Sequence, residues 1–351
     1  MQHLWIRGEQ RLNEARVGLT PDGIKNLRDA GFKITVEHSA QRAIAINEYR
    51  AAGCYIAPEF SWPNAPAEAV ILGLKELPED GTPLRHQHIM FGHAFKGQRS
   101  GKALLRRFAA GGGTLYDLEY LVDKTGRRLA AFGYWAGFAG AAVSLKCWAA
   151  QHRSKPTAPL AAYAGKPELI SDLTEALSTT SSATPRILVI GALGRVGSGA
   201  SALCEALNLE VTKWDLAETT KDATFPEILQ HEIFLNCILA SPETPVLFKQ
   251  SALDESRTLR VIGDISCDLD SDYNPIPVNK SATSWSQPAR RVHAEPPLYV
   301  MAIDNLPSLL PVESSQDFSR QLLPLLKQLA SQESTLWQRA RETFESHLKE
   351  R

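Results

Sequence analysis

The sequence predicts an α/β protein built from two parallel-sheet domains, and three observations predict it. First, apolar runs of strand length alternate with helical stretches through the first third of the chain. Second, a central unit repeats strand, glycine turn, helix and strand in that order. Third, 351 residues favour two domains over one and allow each a sizeable core.

The elements follow in order. Leu4-Trp5-Ile6-Arg7 reads as a strand. A helix is expected over 21–30: Thr20 can cap it, Pro21 suits its first position and Gly31 its stop. Further strands are expected over 33–37, 69–74, 88–91, 113–116 and 128–132, with helices over 47–52 and 104–110. Residues 133–151 are rich in Ala and Gly and apolar on most faces, so a long buried helix is expected there. Residues 152–185 are mixed, with Ser, Thr and Pro at their ends, which marks a boundary. Strands are then expected over 187–190, 210–214, 233–238, 260–265 and 298–300, with another strand-like run around Trp285. Residues 306–311 break the pattern, and 314–351 read as amphipathic helix packing back on the first domain. The expected division is 1–133 plus 312–351 against 134–311, as two Rossmann-like domains with helices flanking each sheet. The active site is expected in the cleft between them.

The central unit is the most specific signal. Ile187-Leu188-Val189-Ile190 leads into Gly191-Ala192-Leu193-Gly194-Arg195-Val196-Gly197 and a helix, and the next strand ends at Asp215. Glycines let backbone approach a pyrophosphate, whose charge is met by N–H groups at a helix N-terminus. An acid about 20 residues on accepts from the ribose hydroxyls. A carboxylate there repels a 2′-phosphate, so NAD(H) is expected over NADP(H). Asn236 and Asp264 follow strands in the same domain, and are either cleft residues or turn caps.

Composition excludes other classes. Net charge is −1, from 38 basic against 39 acidic residues, and no charge asymmetry points to nucleic acid or an anionic membrane. No signal-peptide pattern or spanning apolar run is present, so a cytoplasmic location is expected. Five scattered cysteines without C-x-x-C pairs suggest reduced thiols rather than a zinc site or a disulfide framework, and no metal is expected.

The first domain places polar groups at its strand ends. Lys75 and Glu76 follow one strand, His93 and Lys96 the next, Asp117 and Glu119 a third, and Arg16 precedes Leu19-Thr20-Pro21. Taken singly, each has a plain alternative as a solvated or loop residue. Together they supply what hydride transfer on an amino acid needs. A base takes the proton as hydride leaves, and arginine forks hold carboxylates.

Glu14-Ala15-Arg16-Val17-Gly18-Leu19-Thr20-Pro21 resembles a motif shared by alanine dehydrogenases, the NAD-binding transhydrogenase component and lysine-forming saccharopine dehydrogenases. Gly73-Leu74-Lys75-Glu76, Phe91-Gly92-His93-Ala94-Phe95-Lys96, Leu115-Tyr116-Asp117-Leu118-Glu119, residues 126–133, the glycine turn and residues 303–311 resemble the last of these, in order, over nearly the whole chain. The resemblance implies NAD-dependent oxidation of saccharopine to an imine, then hydrolysis to L-lysine and 2-oxoglutarate, within lysine metabolism. It implies Lys75 as the base for the amine proton and His93 as the acid–base group for hydrolysis, with Glu76 and Glu119 tuning both. It implies Arg11, Arg16, Lys96 and Arg128 on substrate carboxylates and Phe132 against the substrate. It places Gly191, Gly194, Arg195, Val196, Gly197, Asp215, Cys237, Asp264 and Asp304 along the cofactor. A monomer is the family precedent.

Two departures stand out. Yeast members carry lysine at Arg11 and cysteine at Val196, so Cys237 has lost a disulfide partner and thiol sensitivity should fall. The enzyme alternative is an alanine-dehydrogenase-like or opine-type oxidoreductase. The non-enzyme alternative is an NAD-binding regulatory module.

Overall fold

Strands buried on both faces build two parallel-dominated sheets, and the strand residues show how. The computed structural model describes residues 1–95, 99–180, 184–219, 225–267, 272–331 and 334–349. By internal contacts the chain divides into one unit of Met1–Ala131 with Pro311–Arg351 and another of Phe132–Leu310.

The first unit opens with β1 (His3–Ile6), α1 (Pro21–Asp29), β2 (Lys33–Glu37), α2 (Ile46–Ala51), β3 (Tyr55–Ala57), β4 (Val70–Leu72), β5 (Gln87–Met90), α3 (Arg99–Gly111) and β6 (Thr114–Asp117). Among the described residues its sheet runs β3-β2-β1-β4-β5-β6, parallel throughout. Thr20 caps α1 by accepting from the Gly23 N–H, and Ile24 and Leu27 form its buried stripe. Ile71, Leu105, Phe108 and Leu115 lie in one of the unit's apolar clusters.

The second unit holds α4 (Gly133–His152), α5 (Lys166–Ser178), β7 (Ile187–Ile190), α6 (Arg195–Ala206), β8 (Val211–Trp214), α7 (Leu216–Thr219), α8 (Pro226–Leu229), β9 (Ile233–Asn236), β10 (Val261–Asp264), β11 (Arg290–His293) and β12 (Leu298–Met301). Its sheet runs β11-β12-β10-β9-β7-β8. Ile187 and Val189 face one apolar cluster, with Leu188 and Ile190 in the other. That period of two, buried on both sides, is why these strands read as unbroken apolar runs. Helix α4 is apolar nearly all round and lies against α6. A Cβ on Gly137 would collide with the Val196 carbonyl, and one on Gly199 with the Tyr134 carbonyl. Two facing glycines therefore set this close approach. The chain ends in α9 (Pro311–Lys327) and α10 (Thr335–Lys349), which return to the first unit. Ser315 and Ser319 of α9 accept from the Val17 and Thr20 N–H groups, and Trp337 of α10 packs edge-on against Tyr116.

The fold class is as expected, with parallel-dominated sheets flanked by helices. Several elements differ. Residues 128–132 are not a strand; Arg128 makes only an isolated bridge to Val122. The cause is local: the Asp123 carboxylate accepts from the Thr125 and Arg127 N–H groups and closes a turn through Gly126, at φ +83°. Residues 166–178, inside the stretch read as mixed, form α5, with Pro167 in its first turn and Leu169, Leu173 and Ala176 buried. Trp285 is not in a strand; its indole N–H donates to Asn305 Oδ1 at 2.8 Å. The strand nearby is β11, antiparallel to β12 at the sheet edge. Its sequence Arg-Arg-Val-His carries little apolar signal, because an edge strand can face water. The three-residue β3 was not expected, and the tail is two helices rather than one.

His88 in β5 sits in this core with both ring nitrogens buried and without a hydrogen-bond partner. Trp62 and Phe108 meet its ring edge-on at 5.1 and 5.4 Å. Burial, followed by the charges of Arg7, His86 and Arg107, holds its pKa well below 6.5. The unfolded chain therefore takes up a proton first as pH falls. Stability should be intact above 6.5 and be lost progressively as pH drops below it. His88→Phe should lose less of its urea midpoint than the parent between about pH 7.5 and pH 5. Some loss should remain, because burial lowers the His3 pKa as well.

Candidate active site

The C-terminal edge of the first sheet gathers the polar residues. Adjacent strands β1, β4, β5 and β6 lead in turn to Arg7 and Glu9, to Lys75 and Glu76, to His93, and to Glu119. His93 adopts φ +48°, a strained conformation for a non-glycine residue, with its side chain half-exposed. Its Nδ1 lies 3.4 Å from Glu119 Oε2, and the Arg128 guanidinium lies 3.7 Å from Glu119 Oε1. The structure thus joins three sequence-predicted residues in a row. With Nδ1 facing a carboxylate, proton exchange falls to Nε2.

The other predicted residues sit in separate groupings. Arg11 pairs with Glu76 at 3.7 Å, and Glu76 is largely exposed. Arg16 is buried and held bidentately by Glu14 at 2.7 and 2.6 Å. The backbone of Lys75 is fixed: its N–H donates to Glu9 Oε2 at 3.0 Å, and its carbonyl accepts from Arg7. Lys96 lies outside the described residues.

In the second unit the glycine turn follows β7. Gly191 has φ +84°, a region that favours glycine, and a Cβ on Gly197 would collide with the Gly191 carbonyl. Gly194 is the extended N-cap of α6, with Arg195 and Val196 half-buried in the first turn. Asp215, just beyond β8, accepts from the Leu193 N–H through Oδ2 and the Leu216 N–H through Oδ1, each at 2.9 Å. A carboxylate has about four lone-pair sites, so these bonds orient it and leave acceptors for hydroxyls. Turn, helix start and oriented acid together fit a dinucleotide.

Asp264 is more deeply placed. It is buried, and its two oxygens accept from the Asn236 and Asn279 side-chain amides at 2.9 Å each. Cys237 is buried, and burial pushes its thiol upward, which makes it unreactive. Asp304 is exposed between the buried Ile303 and Asn305. Phe132 is the buried residue that precedes α4.

Comparison with known proteins places the chain in a family. The family model for the alanine dehydrogenase/PNT N-terminal domain matches residues 5–139. Saccharopine dehydrogenase [NAD(+), L-lysine-forming] from Candida glabrata is 45% identical over 98% of this chain and 96% of its own. The Schizosaccharomyces pombe protein of that name is 44% identical over 98% of each chain. The chain belongs to this saccharopine dehydrogenase family. An L-alanine dehydrogenase structure covers 98% of this chain and 94% of its own at TM-score 0.68 and 17% identity, which is a likeness of fold. This saccharopine dehydrogenase family member therefore shares an architecture with alanine dehydrogenase.

Sequence reasoning missed three contributors to these edges. Glu9 grips the Leu74 and Lys75 N–H groups, and nothing in its local sequence says so. Leu193, Leu216 and Leu239 each follow a strand of the second sheet and are strongly exposed. Asp117 was noticed only as a strand-end acid. It is buried, its Oδ1 accepts from the Glu119 N–H at 3.0 Å, and its Oδ2 faces Gly92 beside His93.

Burial pushes the Asp117 carboxyl up to about 6, against an ordinary 3.8. A rise of roughly two pH units corresponds to about 3 kcal/mol. A raised folded-state value means stability present below the unfolded value and lost as pH rises towards 6. Asp117→Asn, which removes the charge, should therefore unfold at higher urea than the parent above pH 6. The two should converge as pH falls towards the ordinary carboxyl value.

Proposed function

We propose that the chain catalyses the reversible NAD-dependent cleavage of saccharopine to L-lysine and 2-oxoglutarate. The observation that carries this is a full-length likeness to lysine-forming saccharopine dehydrogenases, and the reading is supported by Lys75 and the His93–Glu119 pair lying at one edge of the first sheet. When bound, NAD supplies the hydride acceptor, or NADH the donor. Gly191, Gly194 and Gly197 would leave room for its pyrophosphate, with Arg195 and Val196 at the helix start and Asp215 on the ribose. Asp264 and Cys237 would shape that edge from beneath, and Asp304 would face the nicotinamide.

Lys75 takes the proton of the secondary amine as the adjacent C–H bond breaks, which leaves an imine. His93 takes a proton from the water that adds to the imine carbon. Lys75 returns the amine proton to the imine nitrogen as water adds; His93 then gives its proton to that nitrogen as the C–N bond of the carbinolamine breaks and the hydroxyl proton passes to Lys75, so lysine leaves as an amine and 2-oxoglutarate as the oxo acid. Glu119 faces His93 Nδ1 and fixes which ring nitrogen meets the substrate, and Glu76 faces Arg11. Arg11, Arg16, Lys96 and Arg128 hold substrate carboxylates, and Phe132 packs on the carbon chain. Glu14 on Arg16 and Glu119 on Arg128 orient those forks beforehand. We also propose a cytoplasmic monomer with small molecules as its only partners. Among the described residues no helix is long and apolar enough to cross a membrane.

The test is oxidation of NADH by L-lysine with 2-oxoglutarate, run beside ammonia with pyruvate. Turnover only with lysine is expected; turnover only with ammonia would overturn the substrate assignment in favour of an alanine-dehydrogenase-like reaction. Lys75→Met should lower kcat about 100-fold or more while NADH still binds. Asp215→Ser should raise the use of NADPH relative to NADH, and an unchanged preference would remove Asp215 from cofactor choice.

A further inference from the structure

Lys75 can serve as a base only if its backbone puts the amine in one place, and Lys75 lies just past the last ladder bonds of its segment. β4 ends at Leu72. Gly73 still donates to the Ile89 carbonyl, and the Leu74 carbonyl accepts from Phe91 at 3.2 Å. The N–H groups of Leu74 and Lys75 and the Lys75 carbonyl turn instead towards the loop after β1. There, Glu9 Oε1 accepts from the Leu74 N–H at 2.7 Å and Oε2 from the Lys75 N–H at 3.0 Å. The Arg7 guanidinium lies 3.2 Å from Glu9 Oε2 and also donates to the Lys75 carbonyl and, at 3.1 Å, to the Gly8 carbonyl. Donor and acceptor of the same residue are thus gripped by one ion pair.

The grip is built rather than incidental. The side chains of Arg7 and Glu9 are 2% and 6% exposed. A Cβ on Gly73 would collide with the Arg7 guanidinium, so the glycine is what lets the arginine reach across. Burying a carboxylate is unfavourable, and it is offset here by two backbone donors and one cation. A carboxylate suits this place because it offers one acceptor oxygen to each N–H, whereas an amide offers only one.

We propose that Glu9, held by Arg7, is a positioning residue that sets the Lys75 amine for proton transfer. This rests on the reading of Lys75 as the base. In Glu9→Gln one oxygen becomes an NH2 that confronts a backbone N–H, so the Leu74–Lys75 peptide must shift with little change in volume. Misplacement by about 1 Å can cost up to roughly 100-fold in rate.

The experiment measures the full-length Glu9→Gln enzyme with NADH, L-lysine and 2-oxoglutarate. The expected result is a kcat about tenfold lower or more, with NADH affinity and both KM values within about twofold of the parent. The primary isotope effect with deuterated NADH should also rise, as the chemical step becomes more limiting. On a Lys75→Met background, Glu9→Gln should then cause no further loss, since residues acting through one group are not additive. A lower melting temperature with kcat and isotope effect unchanged would overturn the proposal, and so would an equal loss of NADH binding. If Glu9→Gln does not fold, Arg7→Lys keeps the charge but cannot fork to Glu9 and the Lys75 carbonyl. It should show a smaller drop of the same kind, and unchanged kcat would again overturn the idea. Near-full turnover by Lys75→Met alone would instead remove Lys75 as the base. A slow Lys75→Met beside a normal Glu9→Gln would remove only the positioning role.

Discussion

A carboxylate that accepts from loop N–H groups is the interaction on which both sheet edges depend. Strands stop where their ladders stop, yet the loops beyond them are partly buried and still carry backbone donors. In the first unit Glu37 takes the Gly8 and Phe60 N–H groups at 2.8 and 3.1 Å, and Glu9 takes those of Leu74 and Lys75. Asp117 takes that of Glu119, and Asp123 those of Thr125 and Arg127. In the second unit Asp215 takes Leu193 and Leu216. Each bond freezes a loop at the end where ligands of parallel α/β sheets bind.

That solution loads the first unit with buried negative charge, and the chain answers it with arginine. Arg7 faces Glu9 and Arg16 faces Glu14, each pair nearly removed from solvent. Arg42 donates to the Glu37 carbonyl from the same loop region. Arginine suits this because its fork can serve a carboxylate and a carbonyl together, which a lysine point charge cannot. Among the described residues no arginine pairs with Asp117, and burial pushes its carboxyl up to about 6, whereas Glu119 two residues on has His93 and Arg128 beside it. Two acids on one strand end are thereby driven to different duties by environment alone.

How much of this was legible follows from how local each signal is. The glycine turn could be read because Gly191 and Gly197 answer constraints set within seven residues, and Asp215 because one strand separates it from the turn. Helices α1 and α4 were legible through a cap and through uniform apolarity. Helix α5 was not, since Leu169, Leu173 and Ala176 make a narrow stripe beside Ser- and Thr-rich ends. Strand β11 was hidden because an edge strand need not be apolar. Residues 128–132 looked like a strand because they are apolar, but Asp123 had already turned the chain. In the site, Lys75, His93 and Glu119 could be named from motif order. Glu9 and Asp117 could not, because what a strand-end acid does depends on which N–H faces it, and that is fixed only by the neighbouring strand.

The same point bears on what a likeness of fold can decide. An L-alanine dehydrogenase shares this architecture at 17% identity, so the sheets and the helix-start turn do not by themselves select a substrate. On a shared scaffold the substrate is selected by the side chains grafted at the site, and here the first sheet's edge carries cations and acids. Here Arg11, Arg16 and Arg128 each already face a glutamate, so their forks are oriented before any ligand arrives. A small substrate with one carboxylate would have little use for three such forks. A product pair that together carries several carboxylates would use all of them if these arginines hold the substrate as proposed, which supports the saccharopine reading over a simpler amino acid.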